Sequence, residues 1–129
     1  MQAAVEHLRG LGVQDVFTLG FCFGGAFSWR QSADTPGLAG CIGFYGRPER
    51  VGQAVERMTA PLLVLHAGAD PHIPVADVTQ LVQRAPVEVL MHVFEGMPHS
   101  FFDRTAPEHA QQCDEAWHLI RGFVEAHAA

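Results

Sequence analysis

Residues 16–25 have the sequence Val-Phe-Thr-Leu-Gly-Phe-Cys-Phe-Gly-Gly. The residues from Val16 to Leu19 are mostly β-branched or aromatic, a composition typical of a short strand, and this strand is expected to end at Gly20. Apolar residues return at helical spacing from Gly24 to Trp29. The segment therefore predicts a strand, a sharp turn and a helix, with a cysteine at the turn.

The same alternation of strand and helix continues along the rest of the chain. Further strands are predicted at Gly40–Tyr45, Pro61–His66 and Val87–Phe94, and helices at Ala3–Leu11, Arg50–Met58, Val75–Arg84 and Glu108–His127. Neighbouring parallel strands need a crossover connection, which a helix supplies in the right-handed sense. We therefore predict an α/β fold in which helices flank a mostly parallel sheet of about four strands.

The length and composition fit one domain that spans residues 1–129. Of the 129 residues, 48% are apolar, which is enough to build a single core without disulfide bonds. The formal net charge is −6, and the eight basic residues, all of them arginines, are scattered along the sequence. Nucleic acids and anionic membrane surfaces both require clustered cations, so neither is a predicted partner.

The cysteines and the apolar runs bear on the location of the protein. Cys22, Cys41 and Cys113 are an odd number, and their spacing matches neither a disulfide framework nor a zinc knuckle. No apolar run approaches the roughly 20 residues that span a bilayer, and the amphipathic start of the chain is unlike a signal peptide. The predicted location is the cytoplasm, and no metal or cofactor is predicted.

Cys22 occupies the position where catalysis is expected, because functional residues of open α/β sheets lie just beyond the carboxyl ends of the strands. Gly20 and Gly24 flank it, as in the nucleophile elbow motif, and side chains at these glycines are expected to collide with the neighbouring strand and helix. The following helix would direct its amino terminus at the sulfur and favour the thiolate, and the Phe23 amide would serve as one oxyanion donor. A buried structural cysteine is the alternative.

Two further loops at the same edge carry the partners that a cysteine nucleophile needs. Asp70 follows the strand that ends at His66, and His99 follows the strand that ends at Phe94. The chain order nucleophile, acid, histidine is the order used by α/β-hydrolases. His99 would take the thiol proton and later return it to the leaving group, while Asp70 would hold the tautomer of His99.

Each of these residues also has a simpler explanation. A loop aspartate such as Asp70 is more often a helix cap or a turn former, and a single loop histidine is more often incidental. A zinc site of His66, His72 and His99 is a further alternative, which no His-x-x-x-His or Cys-x-x-Cys spacing supports. The glycine-rich turn lacks the Lys-Ser/Thr of a P-loop, so a phosphate cradle is not predicted.

Taken together, the motifs resemble one family. Gly-Phe-Cys-Phe-Gly-Gly at residues 20–25, Asp70 with Pro74 four residues later, and His-Ser-Phe at residues 99–101 are similar to the dienelactone hydrolases. The resemblance covers nearly the whole chain and implies an α/β-hydrolase fold. It also implies that Cys22, Asp70 and His99 form a catalytic triad that hydrolyses a small ester or lactone through a thioester on the cysteine.

The chain departs from this family in two respects. Family members are nearly twice as long, so the chain resembles only their carboxy-terminal part and would lack the early strands, the second oxyanion donor, a glutamate that acts on the cysteine and an arginine for a substrate carboxylate. A second family arginine follows the histidine closely, and Arg104 matches its position only approximately. Without the early strands an apolar sheet edge would be exposed, which predicts association of this chain with itself or with a separate amino-terminal fragment.

Residues beside the predicted catalytic edge are the candidates for contact with a substrate: Tyr45, His72, Ile73, Phe101 and Arg104. The main functional hypothesis is a hydrolase of small esters or lactones. The alternative is a catalytically silent α/β domain that acts as an interaction or structural module. The missing oxyanion donor favours this alternative, because loss of one such donor typically costs about a hundred- to a thousandfold in rate.

Overall fold

Four strands alternate with helices along the chain, and the computed structural model describes residues 1–129. Every predicted strand is present, with its ends shifted by at most two residues. In chain order the helices and strands are α1 (Gln2–Gly10), β1 (Phe17–Phe21), α2 (Phe23–Asp34), β2 (Gly40–Phe44), β3 (Leu62–Ala67), α3 (Val75–Arg84), β4 (Val89–Phe94) and α4 (Ala110–His127).

The four strands form one parallel sheet in the order β1-β2-β3-β4. One row across the sheet consists of Leu19, Ile42, Leu63 and Leu90, each the register partner of the next. The predicted parallel sheet flanked by helices is therefore confirmed. Because parallel strands all point the same way, the loops that follow the four strands meet at one edge, which we call the carboxyl edge.

Helices cover both faces of the sheet, so β2 and β3 are buried along their whole length. Alternate side chains of a strand point to opposite faces. Leu62 and Val64 belong to a hydrophobic cluster that contains Trp29 of α2, whereas Leu63 belongs to a second cluster that contains Phe123 of α4. None of the helices combines the length and the apolar character that a bilayer crossing requires.

The predicted amphipathic helix at Arg50–Met58 is wrong. Two short 3₁₀ segments, Pro48–Arg50 and Gly52–Arg57, occupy this part of the chain. Gly52 has a φ of +57°, a left-handed conformation that an α-helix does not contain, so the backbone changes direction there. Val55 is buried in the core, and the segment therefore packs as a tight loop just beyond β2.

Candidate active site

Cys22 lies at a strained turn between β1 and α2. Its φ is +56°, a conformation that residues with a side chain rarely adopt, and its amide donates to the Phe44 carbonyl across 3.1 Å. A Cβ on Gly20 would overlap the Gly24 carbonyl. A Cβ on Gly25 would likewise overlap the carbonyl of Phe44. At Gly24 itself a Cβ would meet no atom within 4 Å, so the prediction that this position must lack a side chain is wrong.

This turn presents the Cys22 sulfur to the two predicted partners. Sγ of Cys22 lies 3.1 Å from Nε2 of His99, and Nδ1 of His99 donates to Oδ2 of Asp70 across 2.5 Å. Since a carboxylate only accepts hydrogen bonds, Nδ1 carries the imidazole proton and Nε2 is left free to receive one from the thiol. The structure thus brings all three residues together in one continuous hydrogen-bonded chain from sulfur to carboxylate.

The Asp70 side chain is fully buried and stays ionised. Its other oxygen, Oδ1, accepts a hydrogen bond from the His72 amide across 2.9 Å. Burial acts to raise the pKa of Asp70, but the hydrogen bonds from the His72 amide and the His99 ring outweigh it and hold the pKa below its usual value. The carboxylate is therefore charged at neutral pH and stabilises a proton on His99.

His66, the penultimate residue of β3, ties the loop that carries Asp70 to the sheet. It is fully buried, and its Nε2 donates to the Ile73 carbonyl across 2.8 Å. Nδ1 is buried without a hydrogen-bond partner. Burial lowers the pKa of His66, against the opposing effects of the Ile73 carbonyl and Asp70, so the ring is neutral. The strand pattern around His66 carried no signal for this clamping role.

Tyr45 forms a wall beside the His99 ring. The two ring centroids lie 4.9 Å apart, and the Tyr45 hydroxyl donates to Oδ1 of Asp103 across 2.5 Å. Burial, reinforced by Asp103, raises the pKa of Tyr45, so the hydroxyl keeps its proton. Sequence analysis did not single out Asp103, because nothing in its spacing from His99 indicates a contact with Tyr45.

A cavity of about 280 Å³ opens beside the Cys22 sulfur. Tyr45 and His72, two of the predicted substrate contacts, lie in its wall. The side chains that line it are those of Cys22, Phe23, Tyr45, Arg47, Arg50, His72 and His99. No acidic side chain is among them, and Arg47 and Arg50 are cationic.

Arg47 and Arg50 are cavity residues that sequence analysis missed. The Arg50 guanidinium lies 4.7 Å from the centre of the Phe23 ring, next to the nucleophile. Arg47 makes an exposed ion pair with Glu49 at 3.7 Å. The one available signal was their position just beyond β2 at the carboxyl edge, and the predicted helix at this place obscured it.

The other predicted contacts lie away from the cavity. Ile73 and Phe101 are buried in the two hydrophobic clusters, because their loops turn these apolar side chains into the core. Arg104 is exposed to solvent and does not line the cavity. The Phe23 amide, the predicted oxyanion donor, lies in the first turn of α2 and makes no hydrogen bond within the protein.

The histidines of the alternative zinc site have other partners. His66 donates to the Ile73 carbonyl and His99 donates to Asp70, while the backbone amide of His72 donates to that same carboxylate. No group of three or more His, Cys, Asp or Glu side chains is arranged to hold a metal ion.

Comparisons with known proteins identify the family of this chain. A family model described as "Dienelactone hydrolase family" matches residues 1–128. The chain is 29% identical over 124 residues to a candidate carboxymethylenebutenolidase from Saccharolobus solfataricus, an alignment that covers 94% of this chain and 48% of that protein. The chain spans about half the length of the curated relatives it matches.

Solved structures of α/β-hydrolases share the architecture. A candidate dienelactone hydrolase from Klebsiella pneumoniae superposes with a TM-score of 0.79 at 22% identity, covering 95% of this chain and 59% of that one. A dienelactone hydrolase-like promiscuous phosphotriesterase from metagenomic libraries gives a TM-score of 0.70 at 25% identity, covering 87% and 52%. The predicted fold class, part of an α/β-hydrolase fold, is therefore confirmed.

Proposed function

This chain belongs to the dienelactone hydrolase family, and from that membership we propose that it hydrolyses a small ester or lactone through a thioester on Cys22. One observation carries the proposal. Sγ of Cys22 lies 3.1 Å from Nε2 of His99, and Nδ1 of His99 donates to Asp70 across 2.5 Å, at the mouth of a cavity. A nucleophile, a base and an acid joined in this order are what hydrolases use to activate a thiol or hydroxyl.

In the acylation step, Nε2 of His99 takes the proton of the Cys22 thiol as the sulfur attacks the carbonyl carbon of the substrate. A C–S bond forms, and the carbonyl electron pair moves to oxygen. When this adduct collapses, the C–O bond to the leaving group breaks and His99 gives its proton to the departing oxygen. The result is a thioester on Cys22, with the alcohol either released or, from a lactone, tethered through the acyl chain.

In the deacylation step, a water molecule gives a proton to His99 and attacks the thioester carbon. The C–S bond then breaks, the proton passes to the sulfur of Cys22, and the carboxylic acid leaves. Asp70 stabilises the imidazolium in both steps. The Phe23 amide is the proposed donor to the oxyanion, because it is free of other hydrogen bonds and lies at the amino terminus of α2, where a negative charge is favoured.

Arg47 and Arg50 support a substrate that carries a negative charge. The protein as a whole has a net charge of −6 and only eight arginines, with no lysine, yet two of these arginines line the small cavity. Arg50 makes no ion pair and stacks on Phe23, so its charge is available to a ligand. We propose that the acyl or alcohol part of the substrate bears a carboxylate or a comparable anionic group.

Turnover of an activated aryl ester tests the proposed reaction. We expect Cys22→Ala and His99→Ala to lose at least about a thousandfold in rate, because the two residues act as one unit. Cys113→Ala is the matched control, since Cys113 lies outside the cavity, and it should retain the wild-type rate. Equal rates in the wild type and the three variants would refute the assignment.

An aryl phosphotriester serves as a second test substrate, because the solved structure at 25% identity is described as that of a promiscuous phosphotriesterase.

A second candidate function is a catalytically silent α/β domain that acts as an interaction or structural module. The observation that favours it is the position of β1 at the edge of the sheet, where it pairs only with β2. Leu19 of this strand is 45% exposed to solvent. In that case Cys22 would alkylate like an ordinary thiol, with a midpoint near pH 8.5, about the value of a model cysteine. A pH profile of alkylation that lies well below this midpoint would exclude the silent module.

The same edge of β1 supports a proposal about assembly. We propose that residues 1–129 form one domain whose β1 edge is covered by a second copy of the chain or by a separate amino-terminal fragment, since an open strand edge favours pairing. Light scattering at micromolar concentration should then report an associated species, and a strictly monomeric species would contradict the idea. A cytoplasmic location, consistent with three free thiols, stays a prediction.

A further inference from the structure

Ser100 follows His99 directly, and its hydroxyl reaches the same sulfur. Oγ of Ser100 lies 3.4 Å from Sγ of Cys22, and the residue is only 6% exposed. The Ser100 carbonyl accepts hydrogen bonds from the amides of Arg104 and Thr105, across 3.0 and 3.3 Å. The backbone is therefore fixed on its carboxyl side, and the hydroxyl is held in a buried position that faces the sulfur.

The backbone conformation of Ser100 is unfavourable for a serine. Its φ of +65° is in the left-handed region, which glycine adopts without penalty and which strains a residue that has a Cβ. Such strain persists where the surrounding structure holds it, often at functional sites. A glycine would relieve the strain and would lack only the CH₂–OH group, whose sole hydrogen-bond partner is Sγ of Cys22.

We propose that the Ser100 hydroxyl is a second hydrogen-bond donor to the Cys22 sulfur, which stabilises the thiolate and orients it for attack. This inference rests on the proposed function, because it concerns the same nucleophile. Ser100 is then a positioning residue for the nucleophile, in addition to being the residue that follows His99 in the sequence.

The proton balance of the site agrees with this role. Before reaction, the thiol proton points to Nε2 of His99, because Nδ1 already carries the proton donated to Asp70. The Ser100 hydroxyl then donates to a lone pair of the sulfur. After the proton moves to Nε2, the thiolate has two donors, the imidazolium N–H and the hydroxyl. A serine hydroxyl is far less acidic than a thiol or an imidazolium. It therefore stabilises the charge on the sulfur without giving up its own proton.

The test is the pH dependence of Cys22 alkylation by iodoacetamide, read by peptide mass spectrometry so that Cys41 and Cys113 are scored separately. Ser100→Ala removes the hydroxyl and keeps the strained Cβ, whereas Ser100→Gly removes both and suits the observed φ. We expect the midpoint of Cys22 alkylation to rise by about one to two pH units in both variants, the effect of one lost hydrogen bond to a charged group.

Ser28→Ala is the matched control. Ser28 is also a buried serine, and its hydroxyl is hydrogen-bonded to the Thr18 hydroxyl at 2.7 Å, away from the site. Loss of the Ser28 hydroxyl should therefore leave the midpoint of Cys22 alkylation unchanged. An unchanged midpoint in both Ser100 variants would overturn the proposal. So would a shift in Ser100→Gly alone, because both variants lose the hydroxyl and only glycine relaxes the backbone. Ser100→Gly is expected to fold at least as well as the wild type, which a thermal melt checks.

His99→Ala separates this inference from the proposed function. If the wild-type midpoint lies well below pH 8.5 and His99→Ala raises it while the Ser100 variants do not, only the role of Ser100 fails. If the wild-type midpoint is that of an ordinary thiol, about 8.5, and none of the variants moves it, both the proposed function and the role of Ser100 fail.

Discussion

The hydroxyl of Tyr45 donates to Asp103 across 2.5 Å, and this bond joins the residue after β2 to the loop that follows the histidine. The Tyr45 ring lies against His99, with centroids 4.9 Å apart. The hydrogen bond therefore fixes the wall against which the imidazole packs. We infer that Tyr45 positions His99 and takes no part in proton transfer, since burial and Asp103 raise the pKa of its hydroxyl.

Replacement of Tyr45 separates the hydrogen bond from the ring. Tyr45→Phe keeps the wall and loses the bond to Asp103, so we expect kcat/KM to fall by up to about tenfold. Tyr45→Ala also removes the wall, and the looser imidazole should cost about a further tenfold or more. Steady-state kinetics on an activated ester measures both effects. Equal losses in the two variants would show that the ring does not position His99.

Charge selection by the cavity can be measured with two esters that differ only in a carboxylate. Arg47→Gln and Arg50→Gln are each expected to lower kcat/KM for the anionic ester by about tenfold and to leave the neutral ester nearly unchanged. Added salt should weaken the preference for the anionic ester in the wild type. Arg104→Gln is the control, because Arg104 is exposed and outside the cavity. Parallel losses on both esters would contradict the assignment.

The glycines at the turn differ in what surrounds them, and this difference predicts opposite effects on stability. In Gly25→Ala the added methyl would overlap the Phe44 carbonyl, so the free energy of unfolding should fall by about 1–3 kcal/mol or more. In Gly24→Ala the methyl enters open space in the first turn of α2, and stability should stay the same or rise by up to about 1 kcal/mol. Urea unfolding curves measure both changes. A destabilised Gly24→Ala protein would contradict this packing.

The neutral, buried His66 should make the protein sensitive to acid. Burial lowers the pKa of His66 in the folded state, while the unfolded chain has a pKa of about 6.5. Below this value the unfolded state binds a proton that the folded state excludes, so the free energy of unfolding should fall with decreasing pH, by at most about 1.4 kcal/mol per pH unit.

His66→Gln tests this linkage, because glutamine is uncharged at every pH and still carries a donor for the Ile73 carbonyl. The free energy of unfolding of the variant, measured in urea between pH 7 and pH 5, should fall less steeply than that of the wild type. The other histidines are common to both proteins and cancel in the comparison. Parallel slopes would show that His66 accepts a proton in the folded state.

The parallel sheet and the three members of the hydrogen-bonded chain could be predicted from the sequence. Each strand is a short apolar run bounded by a turn signal, and parallel strands place the residues that follow them at one edge. Cys22, Asp70 and His99 all follow strands, so their proximity followed from topology alone. The predicted roles of these residues rest on the same reasoning.

The rest of the site depends on how loops pack, which periodicity does not encode. Ile73 and Phe101 follow strands as His72 and His99 do, but their apolar side chains turn into the core. Arg50 reaches the cavity because the segment after β2 is a pair of 3₁₀ turns, where the sequence pattern predicts a helix. The contact between Ser100 and Cys22 likewise depends on a left-handed residue that no local pattern indicated.

Capture of an acyl group on Cys22 tests the proposed thioester mechanism most directly. The wild-type protein is mixed with an activated aryl ester, quenched in acid within the first turnover and analysed by intact-mass and peptide mass spectrometry. We expect a mass increase of one acyl group, located at Cys22 and removed by hydroxylamine, and none in Cys22→Ala. Ester hydrolysis that continues at the wild-type rate in Cys22→Ala, or an acyl group found only on another residue, would contradict catalysis through a thioester on Cys22.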